Sequence, residues 1–340
     1  MEMFEILCAL CHSNGTSGDE TAAAQVASQM LEKYMPVHCD AMGNVIGDTG
    51  VAGSKILLDA HIDRIGFAVT AIDDKGFIKV ARVGGIDPIV LSAAEVTVHG
   101  KQEVYGVIAS TPPHLASKEE KKAQQIDELA LDVGMTKEEA EKIISVGDRI
   151  TMNGDLQRLL TNRVSGAALD DRCGVAAILR CLEILGDKLN ELPIRVMFSS
   201  CEETGSAGAV AGGFSAGADE AIAVDVSFAK APGTDDSIKA KLGEGTMIGY
   251  APSLNFEMSR RLEKLAKEKG IKYQIEVMGS RTGTNADDIA VSAGGKKTAL
   301  LSVPQRNMHT AVEIIDLDDI ESTAQLMAAY ILSREGANNA

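Results

Sequence analysis

The sequence predicts an α/β protein: a mostly parallel mixed sheet flanked by helices, interrupted by a small β-rich insertion. Two observations carry that prediction. From about residue 158 onward, short apolar runs alternate with longer stretches of helical periodicity, the rhythm of a sheet whose strands are joined by helical crossovers. Between about residues 65 and 157 the texture changes to strands and turns in quick succession, with little helix. The chain therefore divides into an α/β domain made of 1–64 and 158–340, and an inserted β-rich domain of 65–157.

In chain order, "MFEILCALCH" places Phe4, Leu7, Cys8 and Cys11 on one apolar face at helical spacing, which predicts a first helix. "SGDETAAAQVASQMLEKY" predicts a second, with an acidic first turn after Ser17-Gly18. "SKILLDAHID" reads as a short buried strand that runs out near His61. The insertion follows: "GFAVTAIDDKGFIKVARVGG" with Asp74-Lys75-Gly76 as its turn, and "AEVTVHGKQEVYGVIAS". It continues with a Pro-marked loop and charged helix in "TPPHLASKEEKKAQQ", a short helix in "TKEEAEKIIS" and a closing strand in "VGDRITM". Beyond it come a helix in "DDRCGVAAILRCLEILGD", strands in "PIRVMFSS", "EAIAVDV", "YQIEVM" and "KTALLSV", and a last helix in "DDIESTAQLMAAYILSRE".

Composition excludes several classes of function. With 49 acidic against 33 basic residues, a formal charge of -16 and no Lys/Arg-rich run, the surface repels phosphate backbones, so nucleic acid is not an expected partner. No stretch approaches the roughly 20 apolar residues of a membrane span, and the start lacks the marks of a secretory leader, so a cytoplasmic protein is expected with no membrane partner. Six cysteines in 340 residues are too sparse for a disulfide framework. Cys8, Cys11 and His12 match the C-x-x-C-H pattern of haem attachment, but that chemistry needs export, and packing of a first helix accounts for the spacing.

The chemistry concentrates where apolar strands run out. His61 follows "KILLDA", Glu202 and Glu203 follow "RVMFSS", Asp225 closes "AIAV", and His309 comes soon after "TALLSV". In open α/β sheets, ligands bind beyond the carboxyl ends of the strands, so these groups are placed to converge. Asp170 opens a helix, where an acidic residue also serves the helix dipole. Two imidazoles with Asp170, Glu203 and Asp225 form the donor set of a zinc-type ion pair, and Asp63, two residues after His61, is placed to orient its ring. Two divalent cations would balance three ligand carboxylates and a bridging hydroxide. That leaves Glu202 as a spare carboxylate suited to general-base work. The remaining histidines, His12, His38, His99 and His114, lack such company.

In order and spacing, "HIDRIGF", "ALDDRCG", "CEETGSAGA", "AVDVS" and "VPQRNMHT" resemble the tetrahedral dinuclear metalloaminopeptidases, the glutamyl, leucyl and deblocking aminopeptidases of metallopeptidase family forty-two. Between these motifs, "VGGIDPIVLSAAEVTVHG" and "GVIASTPPHLASKEEKK" resemble that family's inserted domain. The resemblance implies a zinc-peptidase-like fold with a PDZ-like dimerisation insert, and two divalent ions per subunit, Zn2+ or Co2+ or else Mn2+. One ion would be held by His61 and Asp225, the other by Glu203 and His309, with Asp170 bridging, Glu202 as base and Asp63 behind His61. It further implies peptide substrates and dimers that assemble into a hollow tetrahedral dodecamer. Two departures stand out: Arg64 where the family usually carries an acidic residue, and Asn285 in place of the aspartate of a G-T-D-A stretch, with Asp287 nearby to compensate.

Three other readings share parts of this evidence. A dinuclear amidase or deacylase would use the same water-activating pair on small N-acyl substrates. A glycoside hydrolase would use two carboxylates without metal, although 4% aromatics and no Trp leave little to stack on sugars. A non-catalytic shell-forming or peptide-binding protein would need no intact ligand set. Arg64 and Arg281 are candidates for selecting acidic side chains, and the loop at Pro112, Pro113 and His114 for shaping the pocket.

Overall fold

The computed structural model describes residues 2–109, 125–235 and 237–335. The Pro112, Pro113 and His114 loop and the charged helix expected after it lie largely outside the described residues.

An eight-stranded mixed sheet forms the centre, in the order Val37–Cys39, Val45–Asp48, Ile194–Ser199, Ile56–His61, Glu220–Phe228, Lys297–Gln305, Thr246–Tyr250 and Tyr273–Val277. The four middle strands, from Ile194–Ser199 to Lys297–Gln305, run parallel to one another. Their carboxyl ends therefore lie along one edge. Antiparallel pairing enters on both sides of them, through Val45–Asp48 and Thr246–Tyr250.

Helices cover both faces. Ile56, Leu58 and Ala60 of one central strand face the main core with Leu179, Leu182 and Leu326, whereas Leu57 faces a second cluster with Met197, Ala209 and Ile289. This two-residue alternation is what a strand covered on both faces requires. The helix Leu169–Leu185 is apolar nearly all round because it is sandwiched between the sheet and the terminal helix Leu317–Glu335. The smaller helices Ala207–Ser215 and Asn285–Val291 close the other face.

The strands Gly66–Ile72, Ile78–Val83, Glu95–His99, Glu103–Ile108, Leu131–Asp132 and Arg149–Met152 close into a small barrel. Phe67, Val69, Ile78, Val96, Val98, Val104 and Ile150 fill its interior as a cluster separate from the main core. Its first hairpin turns where Asp73 Oδ1 accepts the amides of Lys75 and Phe77. Gly76 is required there, at φ +90°, because a Cβ would lie 2.0 Å from the Met135 carbonyl.

A three-stranded antiparallel sheet, Gln157–Arg158, Arg163–Gly166 and Glu313–Asp316, joins the segment after the barrel to the segment before the last helix. Sequence patterning gives no sign of these strands, nor of Val37–Cys39, Val45–Asp48 and Thr246–Tyr250. All are short, and several carry Gly or charged residues. The first helix, Met3–His12, buries Leu7 and Cys11, and Cys11 Sγ contacts the Ala168 carbonyl at 3.6 Å. Among the described residues, no helix is long and apolar enough to cross a membrane.

Candidate metal centre

Along the carboxyl edge of the parallel strands, residues far apart in sequence meet. His61 ends its strand, Asp225 lies near the end of the next, and Glu202 and Glu203 sit in the turn after Ile194–Ser199. Asp170 begins the central helix with non-helical backbone angles, which turns its side chain out of the helical path. His309 follows Lys297–Gln305 and takes a left-handed φ of +61°, a costly conformation for a non-glycine residue and one that clusters at functional sites.

Two groups of donor atoms result, His61 with Asp170 and Asp225, and Asp170 with Glu203 and His309, the atoms of each lying within 4.8 Å of one another. His61 Nε2 is 3.0 Å from Asp170 Oδ1 and 3.9 Å from Asp225 Oδ1. His309 Nε2 is 3.3 Å from both Asp170 Oδ2 and Glu203 Oε2. Asp170 thus turns one oxygen to each group. His61 Nδ1 lies 3.1 Å from the Asp63 carbonyl oxygen. A neutral ring donating its proton there would keep its lone pair on Nε2, the atom that faces the carboxylates.

Electrostatics show that this cluster needs positive charge. Burial, reinforced by neighbouring carboxylates, pushes Glu203 and Asp225 well above the usual carboxylate range. Burial likewise raises Glu202 to about 7. For Asp170 burial acts in the same direction, but hydrogen bonds from His309 and His61 outweigh it and hold the group low. For His61 burial opposes the charged form, yet its bonds to Asp170 and Asp63 raise it well above its ordinary value. Protons on two imidazoles are poor compensation for so many buried carboxylates. Hard and borderline divalent cations suit this all-nitrogen-and-oxygen donor set, and the residues present fit them.

The other sequence candidates fall into place around the two groups. The Asp63 carboxylate accepts the Glu202 and Glu203 amides, and one of its oxygens also lies 3.5 Å from His61 Nδ1, so it touches both the glutamate turn and the imidazole. Arg64 is buried rather than in a surface ion pair: its guanidinium donates to the Met152 carbonyl at 3.0 Å and lines a separate cavity of about 650 Å³ with Cys8, His12 and His99. Arg281 is held by Asp287 and Asp288 at 3.4 and 3.5 Å. Asp287 is used by the Thr282 and Gly283 amides and by Ser253, so it serves its own loop. Asn285 donates to Asp59 at 3.0 Å and to Ser199 at 2.8 Å beneath the site.

Sequence reasoning overlooks three residues. Glu313 is buried and accepts the amides of Leu169, Asp170 and His309. Its only signal is one acidic residue within "AVEII", four positions after His309. Asp59 is buried inside "ILLDAH", a charge within an apolar strand. Gly85, from the barrel side, brings its backbone against the His309 ring: a Cβ there would sit 3.1 Å from Nδ1.

A helix-covered mixed sheet that gathers two imidazoles and several carboxylates at the ends of its parallel strands, with a barrel set between its first and later strands, defines a metallopeptidase. The chain belongs to the M42 glutamyl aminopeptidase family, whose signature matches residues 43–326. It is 32% identical to the lysyl aminopeptidase of Pyrococcus furiosus over 338 residues, covering 96% of each chain. It superposes on an aminopeptidase of the archaeon Desulfurococcus kamchatkensis with a TM-score of 0.90 at 31% identity, covering 97% of this chain and 94% of that one. The Pyrococcus horikoshii TET1 peptidase, which can assemble into a tetrahedron or a large octahedral shell, gives a TM-score of 0.86 at 31% identity, with 97% and 99% covered. The protein is therefore an aminopeptidase, a hydrolase of the metallopeptidase class.

Proposed function

We propose that the two donor groups each hold one divalent ion, and that the enzyme removes N-terminal residues from peptides by general-base hydrolysis at this centre. His61 and Asp225 would hold one ion, Glu203 and His309 the other, and Asp170 both. The carrying observation is that the two oxygens of Asp170 face different imidazoles, at 3.0 and 3.3 Å. Zn2+, Co2+ and Mn2+ all suit such ligands. Bound ions supply Lewis-acid polarisation of the scissile carbonyl and a lowered pKa for water.

The chain's own residues do the rest. Glu202 makes no side-chain hydrogen bond among the described contacts and lies within the field of His61, Asp170 and His309. Its carboxylate takes a proton from the attacking water and returns it to the departing amine as the C–N bond breaks. Asp63 holds the backbone on which that carboxylate rides.

The insertion 65–157 serves, in this reading, as a PDZ-like dimerisation domain, with 1–64 and 158–340 as the catalytic domain. Support comes from the barrel's own core and from exposed Ile89, Val90, Tyr105 and Val146, apolar surface suited to a second copy. Dimers would build a closed cytoplasmic shell that admits peptides. The test is a chelator-stripped sample reloaded ion by ion and assayed on free and N-blocked peptides, with mass measured by light scattering. Cleavage of blocked peptides alone would favour a deacylase instead, and activity that survives stripping would refute the metal reading.

A further inference from the structure

We propose that Glu313 is a positioning residue of the reaction, a single buried carboxylate that locks the bridging aspartate and the second imidazole into ion-binding geometry together. The inference rests on the ion sites proposed above. Glu313 Oε2 accepts the Leu169 amide at 2.8 Å and the Asp170 amide at 3.2 Å, while Oε1 accepts the His309 amide at 3.0 Å. One carboxylate thus ties together two segments about 140 positions apart in sequence. Both are segments the chain would not hold unaided: Ala168 and His309 have φ of +62° and +61°, and Asp170 departs from helical angles inside the helix it begins. Left-handed backbone at non-glycine residues persists only where its surroundings over-determine it. Three backbone amides gathered on the two oxygens of one buried side chain are such surroundings.

Glu313 is itself rigidly mounted. It pairs with Gly166 in the three-stranded sheet, and it is 2% exposed. Asp63 does for the Glu202–Glu203 turn what Glu313 does for Asp170 and His309. Between them, two carboxylates that contact no substrate fix the backbone of three of the five ligand residues and of the base.

Glu313→Gln tests the inference because it keeps size while replacing one acceptor oxygen with an N–H donor that faces a backbone N–H. The expected result is a folded assembly of wild-type size whose affinity for Zn2+, measured by competition with a chromogenic chelator, falls 10- to 100-fold. The visible Co2+ spectrum should change, and kcat should fall while KM stays within about threefold. Glu313→Asp, charged but one methylene short, should show the same losses to a smaller extent, and it carries the test if the glutamine variant does not fold. Wild-type ion affinity, Co2+ spectrum and kcat in either folded variant would overturn the proposal. If the wild-type chain itself took up no ion, the ion sites would be refuted and the inference with them.

Discussion

Glu202 donates its backbone N–H to Asp63 Oδ1 at 3.0 Å, and Glu203 donates to the other oxygen of the same carboxylate at 3.1 Å. A group that the sequence places behind His61 therefore fixes the turn bearing the two adjacent glutamates. Asp63→Asn presents an N–H to one of those amides. It should cost 10- to 100-fold in ion affinity or turnover without loss of fold. Chelator competition beside circular dichroism checks it, and unchanged affinity and rate would remove the positioning role.

Glu202→Gln should keep both ions and lower kcat by about 10²- to 10⁴-fold, the usual scale of general-base assistance. Metal analysis on the same preparation used for kinetics separates the two effects. Near-wild-type turnover would show that another group accepts the proton.

Loss of either imidazole should be asymmetric in site but equal in count. His61 belongs with Asp225 and His309 with Glu203, with Asp170 in both groups. Each His→Ala variant should accordingly retain about half the bound ion of the wild type. Asp170→Ala should lose nearly all of it, because removing an anionic ligand shared by both sites leaves each with only two protein donors. Elemental analysis after gel filtration reads the result. Full occupancy in Asp170→Ala would contradict a bridging carboxylate.

Much of this centre was legible because strand ends are legible. Apolar runs such as "KILLDA" and "RVMFSS" stop abruptly, and in a parallel arrangement every such stop falls on the same edge. Glu313 was not legible, because its importance comes from three amides contributed by other segments, and backbone groups look the same in every sequence. The short strands Gln157–Arg158 and Arg163–Gly166 were hidden for a related reason: two to four residues carry too little periodicity, and tertiary pairing decides their state. The burial of Arg64 against the Met152 carbonyl is likewise not legible, because the groups that enclose a side chain come from segments far away in sequence.

Stability should vary with pH through Asp319. Its oxygens accept the Gly243 and Gly245 amides at 2.7 Å each, yet burial outweighs these bonds and raises the group to about 6. A folded pKa above the unfolded value near 3.9 means that the native state holds the proton more tightly. Stability from this group is therefore gained as pH falls from about 6 toward 4 and is lost as pH rises through 6. Relative to Asp319→Asn, the wild type should gain roughly 1.4 kcal/mol per unit over that window. Denaturant midpoints of both proteins at pH 8 and pH 5 measure the difference. A gap that does not change between the two pH values would contradict the assignment.

Asn285 stands where the resemblance places an aspartate, and the structure gives a reason for the amide. Its Nδ2 donates both to Asp59 Oδ2 at 3.0 Å and to Ser199 Oγ at 2.8 Å, and all three residues are buried. Asp59 sits on the strand that ends in His61, two residues before that proposed ligand. Asn285→Asp would replace a donor with a second carboxylate about 3 Å from the first, where both cannot ionise without a cation or a shared proton. An uncompensated buried charge costs on the order of 3 kcal/mol. The variant should be less stable than wild type by about that amount at pH 8. It should recover most of the loss near pH 5, where one proton can be shared between the two groups. Denaturant midpoints at the two pH values test this. Equal stability of variant and wild type at pH 8 would mean that a cation or solvent reaches the pair, and the amide at position 285 would then have no electrostatic role.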